Sequence, residues 1–202
     1  MKRQDLIEAL ARVRNGAPAI AGPGTISRLL WSTGHQPASI YQMDMGYATS
    51  MSLGVALARP EEKVVAVEGD GSIIVAMSVF STIGRYQPKN LVVLIADNGV
   101  FASAGDGSIA TGASHGTDIA AVARACGIAA DHVLDARTPE ELEPLIARAM
   151  TEPGPWVIVA KLDASDRNLM QGAKTRGVIP FDVVETVINF RRELANRKQL
   201  KG

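Results

Sequence analysis

The sequence has too little cysteine for several classes of metalloprotein and secreted protein. Its 202 residues include one cysteine, Cys126, which excludes a disulfide framework, a zinc site made of cysteines and a cysteine-ligated iron–sulfur cluster within the chain. A single thiol is typical of a reducing compartment, so a cytoplasmic location is expected. Apolar runs such as 91–96 are far shorter than the roughly 18 residues of a membrane span, and none is predicted.

The chain also lacks an excess of charge of either sign. Lysine and arginine number 21, as do aspartate and glutamate, which disfavours a nucleic-acid binder that works by neutralising phosphates. No dense basic cluster marks an anion site. The basic residues Arg191, Arg192 and 198–201 fit a solvated helix face near the carboxyl end of a helix. With 47% hydrophobic residues, the chain is expected to fold as a globular protein rather than to be disordered.

Apolar periodicity alternates between strand and helix patterns along the chain. Strands are predicted at 17–22, 39–43, 63–67, 91–96, 132–134 and 156–160. Helices are predicted at 4–14, 26–33, 47–58, 72–86, 119–126, 139–150 and 181–197. Long irregular segments are expected at 97–116 and 163–178. The alternation predicts one α/β domain over 1–202, a doubly wound and mainly parallel sheet with helices on both faces.

Helix caps are predicted from residue types at the first turns. Thr25 is expected to cap the second helix, and either Thr117 or Asp118 the helix that begins near 119. Thr138 is expected to cap the helix in which Pro139 takes the first helical position.

Two of the strongest strands end in oxygen-rich turns. Gly69-Asp70-Gly71-Ser72 follows the strand at 63–67, and Asp97-Asn98-Gly99 follows the strand at 91–96. Ligands of open parallel sheets bind beyond the carboxyl ends of the strands, so the two turns are expected to meet. Mg²⁺ takes carboxylate, amide and carbonyl oxygens. Asp70, Asn98 and the carbonyl of Val100 are therefore candidate ligands, and the glycines and Ser72 suit a phosphate at a helix start.

The GDG triplet at 69–71, followed at this interval by Asn98, resembles the thiamine-diphosphate-binding motif, in which an Asn-Asn pair closes the pattern. Asp97 departs from the first Asn of that pair, whereas the second Asn is the family's metal ligand. The flanking segments 45–58 and 118–127 also resemble the family, and the similarity covers most of 17–162. The chain is most similar to thiamine-diphosphate-dependent decarboxylases of the sulfopyruvate and phosphonopyruvate type, in particular to their cofactor-binding β subunits.

The resemblance implies roles for individual residues. It implies thiamine diphosphate and Mg²⁺ as cofactors, with Asp70, Asn98 and the Val100 carbonyl on the metal. The diphosphate would be contacted by the turn residues Gly69, Gly71 and Ser72. Met45 would be the apolar wedge beneath the cofactor, which counts as a catalytic position, and the backbone of Met43 would face its aminopyrimidine ring.

The chain has no room for the pyrimidine-binding domain that carries this family's catalytic Glu. The resemblance therefore implies a partner α subunit that supplies the Glu, and an α₂β₂ or larger assembly. The implied reaction is nonoxidative decarboxylation of a small anionic 2-oxo acid to an aldehyde, with the cofactor as electron sink. The sequence leaves open which chain binds the substrate's anionic group.

Several candidate residues also have simpler interpretations. His115 lies in the glycine-rich loop and is a candidate proton donor, or a solvated loop histidine. His35 is a candidate for the edge of the active site, or a turn residue. A structural role is favoured for His132, a bracing role for Asp97 and core packing for Cys126.

Other functions remain open at this point. Carboligating synthases and 2-oxo-acid ferredoxin oxidoreductases use the same cofactor module, although the shortage of cysteine weakens the oxidoreductase alternative. A noncatalytic nucleotide-binding module is a third hypothesis, but no GxGxxG or GxxxxGK[ST] pattern supports it.

Overall fold

Six parallel strands form one sheet within the part of the chain that the structure describes. This computed structural model describes residues 1–101, 109–163, 166 and 178–199. The strands are Ala19–Ala21 (β1), Ser39–Ile40 (β2), Val64–Gly69 (β3), Leu91–Asp97 (β4), Val133–Ala136 (β5) and Trp156–Lys161 (β6). Their order is β2-β1-β3-β4-β6-β5, and each neighbouring pair is parallel. The predicted α/β class with a doubly wound parallel sheet is confirmed.

Eight helices lie along the described ranges. They are Arg3–Val13 (α1), Thr25–Gly34 (α2), Tyr47–Ala58 (α3), Asp70–Val75 (α4), Val79–Tyr86 (α5), Ile119–Ala125 (α6), Pro139–Thr151 (α7) and Val183–Gln199 (α8). Short 3₁₀ turns occur at Gly112–His115 and Ala130–His132. Within the described residues, no helix is both long and apolar enough to cross a membrane.

The core lies on both faces of the sheet because the central strands are apolar on both sides. Val65 and Val67 pack in a cluster with α1, α2 and α7, whereas Val64 and Ala66 pack in a second cluster with α3, α5 and α6. Adjacent strand residues thus face opposite layers, as the period of two requires. Phe190 of α8 joins a third cluster beside β2.

The prediction of a single helix at 72–86 is wrong. The chain forms α4 and α5 instead, and α4 begins at Asp70, so Asp70 and Gly71 of the GDG triplet belong to the helix and Gly69 ends β3. Helical geometry ends at Ala76, where φ is −128°. Here the chain passes so close to Gly46 that a Cβ on Gly46 would lie 2.7 Å from the Ala76 Cβ. This tertiary contact leaves no mark on the local periodicity.

Other sequence predictions shift at their ends. The strand predicted at 39–43 has two residues, and the strand predicted at 17–22 has three. Thr25 does not cap α2, because Gly24 occupies the cap position and Thr25 is already helical. Asp118 is the cap of α6 and accepts a hydrogen bond from the Ala121 N–H at 2.9 Å.

The remaining cap and loop predictions have mixed outcomes. Thr138 forms a capping box with Glu141 at the start of α7, as expected. Most of the irregular segment predicted at 163–178, residues 102–108 of the loop at 97–116, and the side chains of 198–201 lie outside the described residues.

Candidate functional site

The strand order creates a crevice at the carboxyl edge of the sheet. From β1 the chain crosses to β2 on one side, whereas from β3 it crosses to β4 on the other, so the sheet changes direction between β1 and β3. Ligand sites of open α/β sheets form at such a switch point. Gly69 pairs with Ala96 in the β3–β4 register. The two oxygen-rich turns therefore follow adjacent strand ends, as predicted.

A cavity of about 220 Å³ opens at this point. It is lined by the loop after β1, the start of α2, the Met45 segment and both turns. The lining residues are Arg3, Pro23, Gly24, Thr25, Ile26, Arg28, Met45, Gly69, Asp70, Gly71, Ser72, Ala96, Asn98, Val100 and Phe101. All the predicted metal ligands and all the predicted diphosphate contacts are among them.

The Asp70 carboxylate, the Asn98 amide and the Val100 carbonyl converge in this cavity. The inner atom of the Asn98 amide group lies 3.1 Å from Asp70 Oδ1 and 3.1 Å from the Val100 carbonyl oxygen; with the nitrogen inward the amide donates to both oxygens, and with the oxygen inward three acceptors face one another. With the oxygen inward no proton lies between the three acceptors, and a cation bound among them would relieve their repulsion. Oxygens bound at about 2.1 Å to adjacent positions of an octahedral Mg²⁺ are themselves about 3 Å apart. The donor set and its spacing fit that ion.

Asp70 lies in surroundings that disfavour an uncompensated charge. Asp70 is 1% exposed, and burial raises the pKa of its carboxyl above the usual range. A hydrogen bond donated by the Thr111 hydroxyl lowers this pKa but does not outweigh burial. The neighbouring Asp97 carboxylate raises this pKa further. A divalent cation would reverse both effects, because it favours the charged carboxylate.

Two arginines of the cavity escaped the sequence analysis. Arg3 of α1 and Arg28 of α2 both line it, although Arg3 stands far from the motif in sequence. Asp166 fixes Arg3, accepting hydrogen bonds from the Arg3 backbone N–H at 3.1 Å and Nε at 2.8 Å. Arg28 stands three residues into the helix after the Gly-Pro-Gly turn, which is a weak signal. Nothing local to Arg3 could have identified it.

A second buried carboxyl, Glu68, lies beneath the site. It accepts hydrogen bonds from the Thr49 N–H at 3.0 Å and from the Ser72 hydroxyl, and Ser72 Oγ in turn accepts from the Gly46 N–H at 3.0 Å. Burial raises the pKa of Glu68 above its usual range. The sequence signal for Glu68 was an acidic residue within the otherwise apolar strand at 64–69. The hydroxyl proton of Ser72 is thus already committed to Glu68.

The two methionines predicted at the cofactor lie in different places. Met45 lines the cavity, whereas Met43 is buried and lies at the wall of a separate groove along α3. Gly71 lies under the Phe101 ring, which a Cβ on Gly71 would overlap. Phe101 and Thr111 therefore cover the glycine turn from the loop after β4.

The histidines do not line the cavity. His115 is exposed on the 3₁₀ turn Gly112–His115, and its catalytic role stays a prediction. His35 Nδ1 lies 2.8 Å from the Tyr41 hydroxyl, in a separate cavity beside α8. His132 stacks on Trp156 with ring centroids 4.1 Å apart, a structural contact.

Asp97 and Cys126 also have structural surroundings. Asp97 Oδ2 pairs with Lys161 Nζ at 2.7 Å, which fits the bracing role expected for Asp97. Cys126 is partly buried against the second core cluster.

The fold and this cavity match one class of cofactor-binding domain. Residues 26–160 match the family described as thiamine pyrophosphate enzyme, C-terminal TPP binding domain. The chain belongs to this family, which the resemblance had predicted. The structure of benzoylformate decarboxylase from Polynucleobacter necessarius shares the fold, with a TM-score of 0.65 and 19% identity over 78% of this chain and 32% of that one.

Particular relatives resemble the chain over most of its length. It is 31% identical to "Sulfopyruvate decarboxylase subunit beta" of Methanococcus maripaludis over 170 residues, which is 84% of this chain and 88% of the relative. It is 35% identical to "Phosphonopyruvate decarboxylase" of Streptomyces viridochromogenes over 150 residues. That match covers 74% of this chain and 36% of the relative, so the chain spans about a third of that protein.

Proposed function

We propose that this chain is the cofactor-binding β subunit of a split thiamine-diphosphate-dependent decarboxylase, acting on a small anionic 2-oxo acid of the sulfopyruvate or phosphonopyruvate type. The observation that carries the proposal is the convergence of the Asp70 carboxylate, the Asn98 amide and the Val100 carbonyl at the switch point of the sheet. The names of the relatives favour the decarboxylase reaction over carboligation or oxidation. Residues 1–202 form one pyrophosphate-binding domain in this proposal.

In this proposal the chain's own residues anchor and shape the cofactor site. Asp70, Asn98 and the Val100 carbonyl would hold Mg²⁺, which would neutralise part of the charge of the diphosphate. Thiamine diphosphate, when bound, supplies the electron sink for loss of carbon dioxide. The N–H groups in the first turn of α4 have no carbonyl partner within the helix. Those of Gly71 and Ser72 are proposed to contact the diphosphate, and the Gly71 N–H also contacts the Asp70 carboxyl.

Met45 is proposed to support the reactive face of the cofactor. Its side chain lines the cavity, and Gly46 follows it in the left-handed conformation with φ of 81°. The hydrogen bond from the Gly46 N–H to Ser72 fixes this turn against the GDG segment. The position of Met45 is therefore coupled to the proposed metal site. The backbone of Met43 is proposed to face the aminopyrimidine ring.

The partner α subunit is proposed to dock on the exposed face of α3. Tyr47 is 63% exposed and Met51 36% exposed, and with Gly54 and Ala58 they form one side of an apolar groove. Met43 and Asp44 also line this groove, and the next residue, Met45, lines the cavity. A subunit seated here would reach the cofactor, as a chain that supplies the catalytic Glu must.

Titration of the full chain with thiamine diphosphate tests the metal site. By calorimetry, we expect binding that depends on Mg²⁺, and a loss of more than about 100-fold in Asp70→Ala, because removing a direct ligand costs more than removing a supporting residue. Asp131→Ala is the matched control, since Asp131 is exposed at the opposite end of the sheet. Equal affinity of Asp70→Ala and wild type would contradict the assignment.

A complex reconstituted with a candidate α subunit tests the reaction. Incubation with sulfopyruvate or phosphonopyruvate is expected to release an aldehyde and carbon dioxide. Formation of a longer hydroxyketone would indicate a synthase instead, and reduction of a dye that requires coenzyme A would indicate an oxidoreductase.

A further inference from the structure

The guanidinium of Arg3 contacts one of the proposed metal ligands. Its Nη2 lies 2.9 Å from the outer atom of the Asn98 amide group. The same nitrogen donates to the Asp166 carbonyl at 2.6 Å, and Nε forms the ion pair with the Asp166 carboxylate at 2.8 Å. Arg3 is 7% exposed. The guanidinium is therefore held at the cavity wall rather than in bulk water.

Arg3 finds a hydrogen-bond acceptor on Asn98 in only one of the two orientations of the Asn98 amide. With its nitrogen towards Asp70 Oδ1 and the Val100 carbonyl, Asn98 donates two hydrogen bonds and its oxygen accepts one from Arg3. With its oxygen turned inward, the site has three oxygens for a cation, but the amide NH₂ then faces the Arg3 N–H groups. Two donors cannot satisfy each other. The inward orientation thus leaves Arg3 without its acceptor on Asn98.

We propose that Arg3 couples cation binding to diphosphate binding in the same cavity. Without a cation, Arg3 holds the Asn98 amide with its oxygen outward. When a divalent cation turns that oxygen inward, the freed Arg3 N–H becomes a donor for a diphosphate oxygen. The inference deepens the proposed function and rests on it.

The chemistry of the groups favours this assignment. A guanidinium recognises phosphate oxygens through charge-assisted hydrogen bonds with fixed geometry. Arg3 lines the same cavity as the GDG turn and the start of α2, where the diphosphate is proposed to lie. The Asp166 contacts orient the guanidinium in advance, which lowers the entropic cost of using it.

Binding of Mn²⁺ alone and of inorganic pyrophosphate to the full chain tests the inference. Free Mn²⁺ is measured by electron paramagnetic resonance, and pyrophosphate binding by calorimetry at saturating Mn²⁺. In Arg3→Met we expect Mn²⁺ alone to bind about 5-fold more tightly, because the competing hydrogen bond is gone. Pyrophosphate should bind about 10-fold more weakly, because a charge-assisted hydrogen bond is lost.

Three control variants separate this coupling from other effects. Arg28→Met removes the same charge from the same cavity without a contact to Asn98, and should raise Mn²⁺ affinity by less than about 2-fold, as expected for a screened charge. Arg12→Met removes an exposed ion pair of α1 with Glu143 and should change neither affinity. Arg3→Lys keeps the charge beside Asp166 but lacks the planar fork, and should also weaken pyrophosphate binding.

The outcomes are distinct. Opposite changes in the two affinities of Arg3→Met, absent from Arg28→Met, support the coupling. Weaker binding of both probes would mean that Arg3 only supports the fold, and equal effects in Arg3→Met and Arg28→Met would mean that charge alone acts; either result overturns the inference. Failure of the wild-type chain to bind Mn²⁺ would instead contradict the proposed metal site itself.

Discussion

Asp70 and Glu68 are two buried carboxyls, two residues apart, with different partners. Asp70 faces the cavity beside the Asn98 amide and the Val100 carbonyl, whereas Glu68 is enclosed by the Thr49 and Ser72 donors. Burial raises the pKa of both carboxyls. Glu68 is satisfied by hydrogen bonds from these donors, which indicates a supporting role, whereas Asp70 Oδ1 faces the Asn98 amide, whose oxygen, once turned inward, would give a cation a second ligand.

Replacing Glu68 tests its supporting role. Glu68→Ala leaves the Thr49 N–H and the Ser72 hydroxyl without their acceptor and opens a cavity, so we expect a loss of about 2–4 kcal/mol in the free energy of unfolding. Glu68→Gln keeps the volume and one acceptor oxygen and should lose less than half as much. Urea denaturation measures both values, and a Glu68→Ala variant as stable as wild type would contradict the role.

For individual residues, the sequence predicted the placement of the candidate site residues that follow the ends of strands. Asp70 and Asn98 follow apolar strands, so their meeting could be expected from parallel topology. Arg3 reaches the cavity only through the packing of α1, and Thr111 reaches Asp70 only through the packing of the loop after β4. Such contacts depend on tertiary structure, and no local pattern encodes them.

The C-terminal helix α8 is tied to the rest of the fold by ion pairs around Glu62. Glu62 follows α3 and pairs with Arg59 at 2.7 Å and with Arg197 of α8 at 2.9 Å. Burial raises the pKa of Glu62, but the hydrogen bonds from the two arginines outweigh it and leave the pKa below its usual value. The folded state therefore favours the charged carboxylate.

This shift predicts a pH dependence of stability. Because the folded pKa of Glu62 is below its unfolded value of 4.5, its contribution is fully present above pH 4.5 and is lost as the pH falls through the folded pKa. Glu62→Gln should lower the free energy of unfolding by about 2 kcal/mol at pH 7. It should also flatten the decline below pH 4.5. A parallel decline in variant and wild type, measured by urea denaturation, would contradict this.

The positions of the helices were predicted better than the division of one predicted helix into α4 and α5. Helices α1, α3, α6 and α7 lie within one or two residues of their predicted ends. Apolar periods with caps or stops define α1, α6 and α7, whereas α3 is defined by its small apolar residues and the stop before Pro60. The division between α4 and α5 was missed; Ala76 at the break packs against Gly46, a contact that no local pattern encodes. Strand β2 was overestimated because apolar residues continue past its last ladder partner.

For the whole molecule, the outward face of α3 was the hardest feature to interpret from sequence. The helix has small or apolar residues on all sides, a pattern typical of a buried helix, yet Tyr47, Met51 and Leu57 are exposed. Tyr47 and Met51 belong to the proposed docking surface. The parallel sheet followed from the alternation of elements, whereas strand order required the structure.

A charge placed on α3 tests the proposed docking surface. Met51→Glu should leave the chain folded, because Met51 is already partly exposed, and should weaken association with the α subunit by more than about 10-fold, since an unpaired charge would be buried. Glu140→Lys, on the exposed start of α7, is the control. Analytical ultracentrifugation of the co-expressed subunits measures the effect, and unchanged assembly of Met51→Glu would place the interface elsewhere.

The central claim is that Asp70, Asn98 and the Val100 carbonyl hold one divalent cation that anchors the cofactor diphosphate. A crystal structure of the assembled protein with thiamine diphosphate and Mn²⁺ tests it most directly through the anomalous signal of the metal. We expect one peak about 2.2 Å from an oxygen of each of the three residues, as oxygen ligands of such ions require, with diphosphate oxygens completing its shell. A bound cofactor with its metal held by other residues would contradict the account.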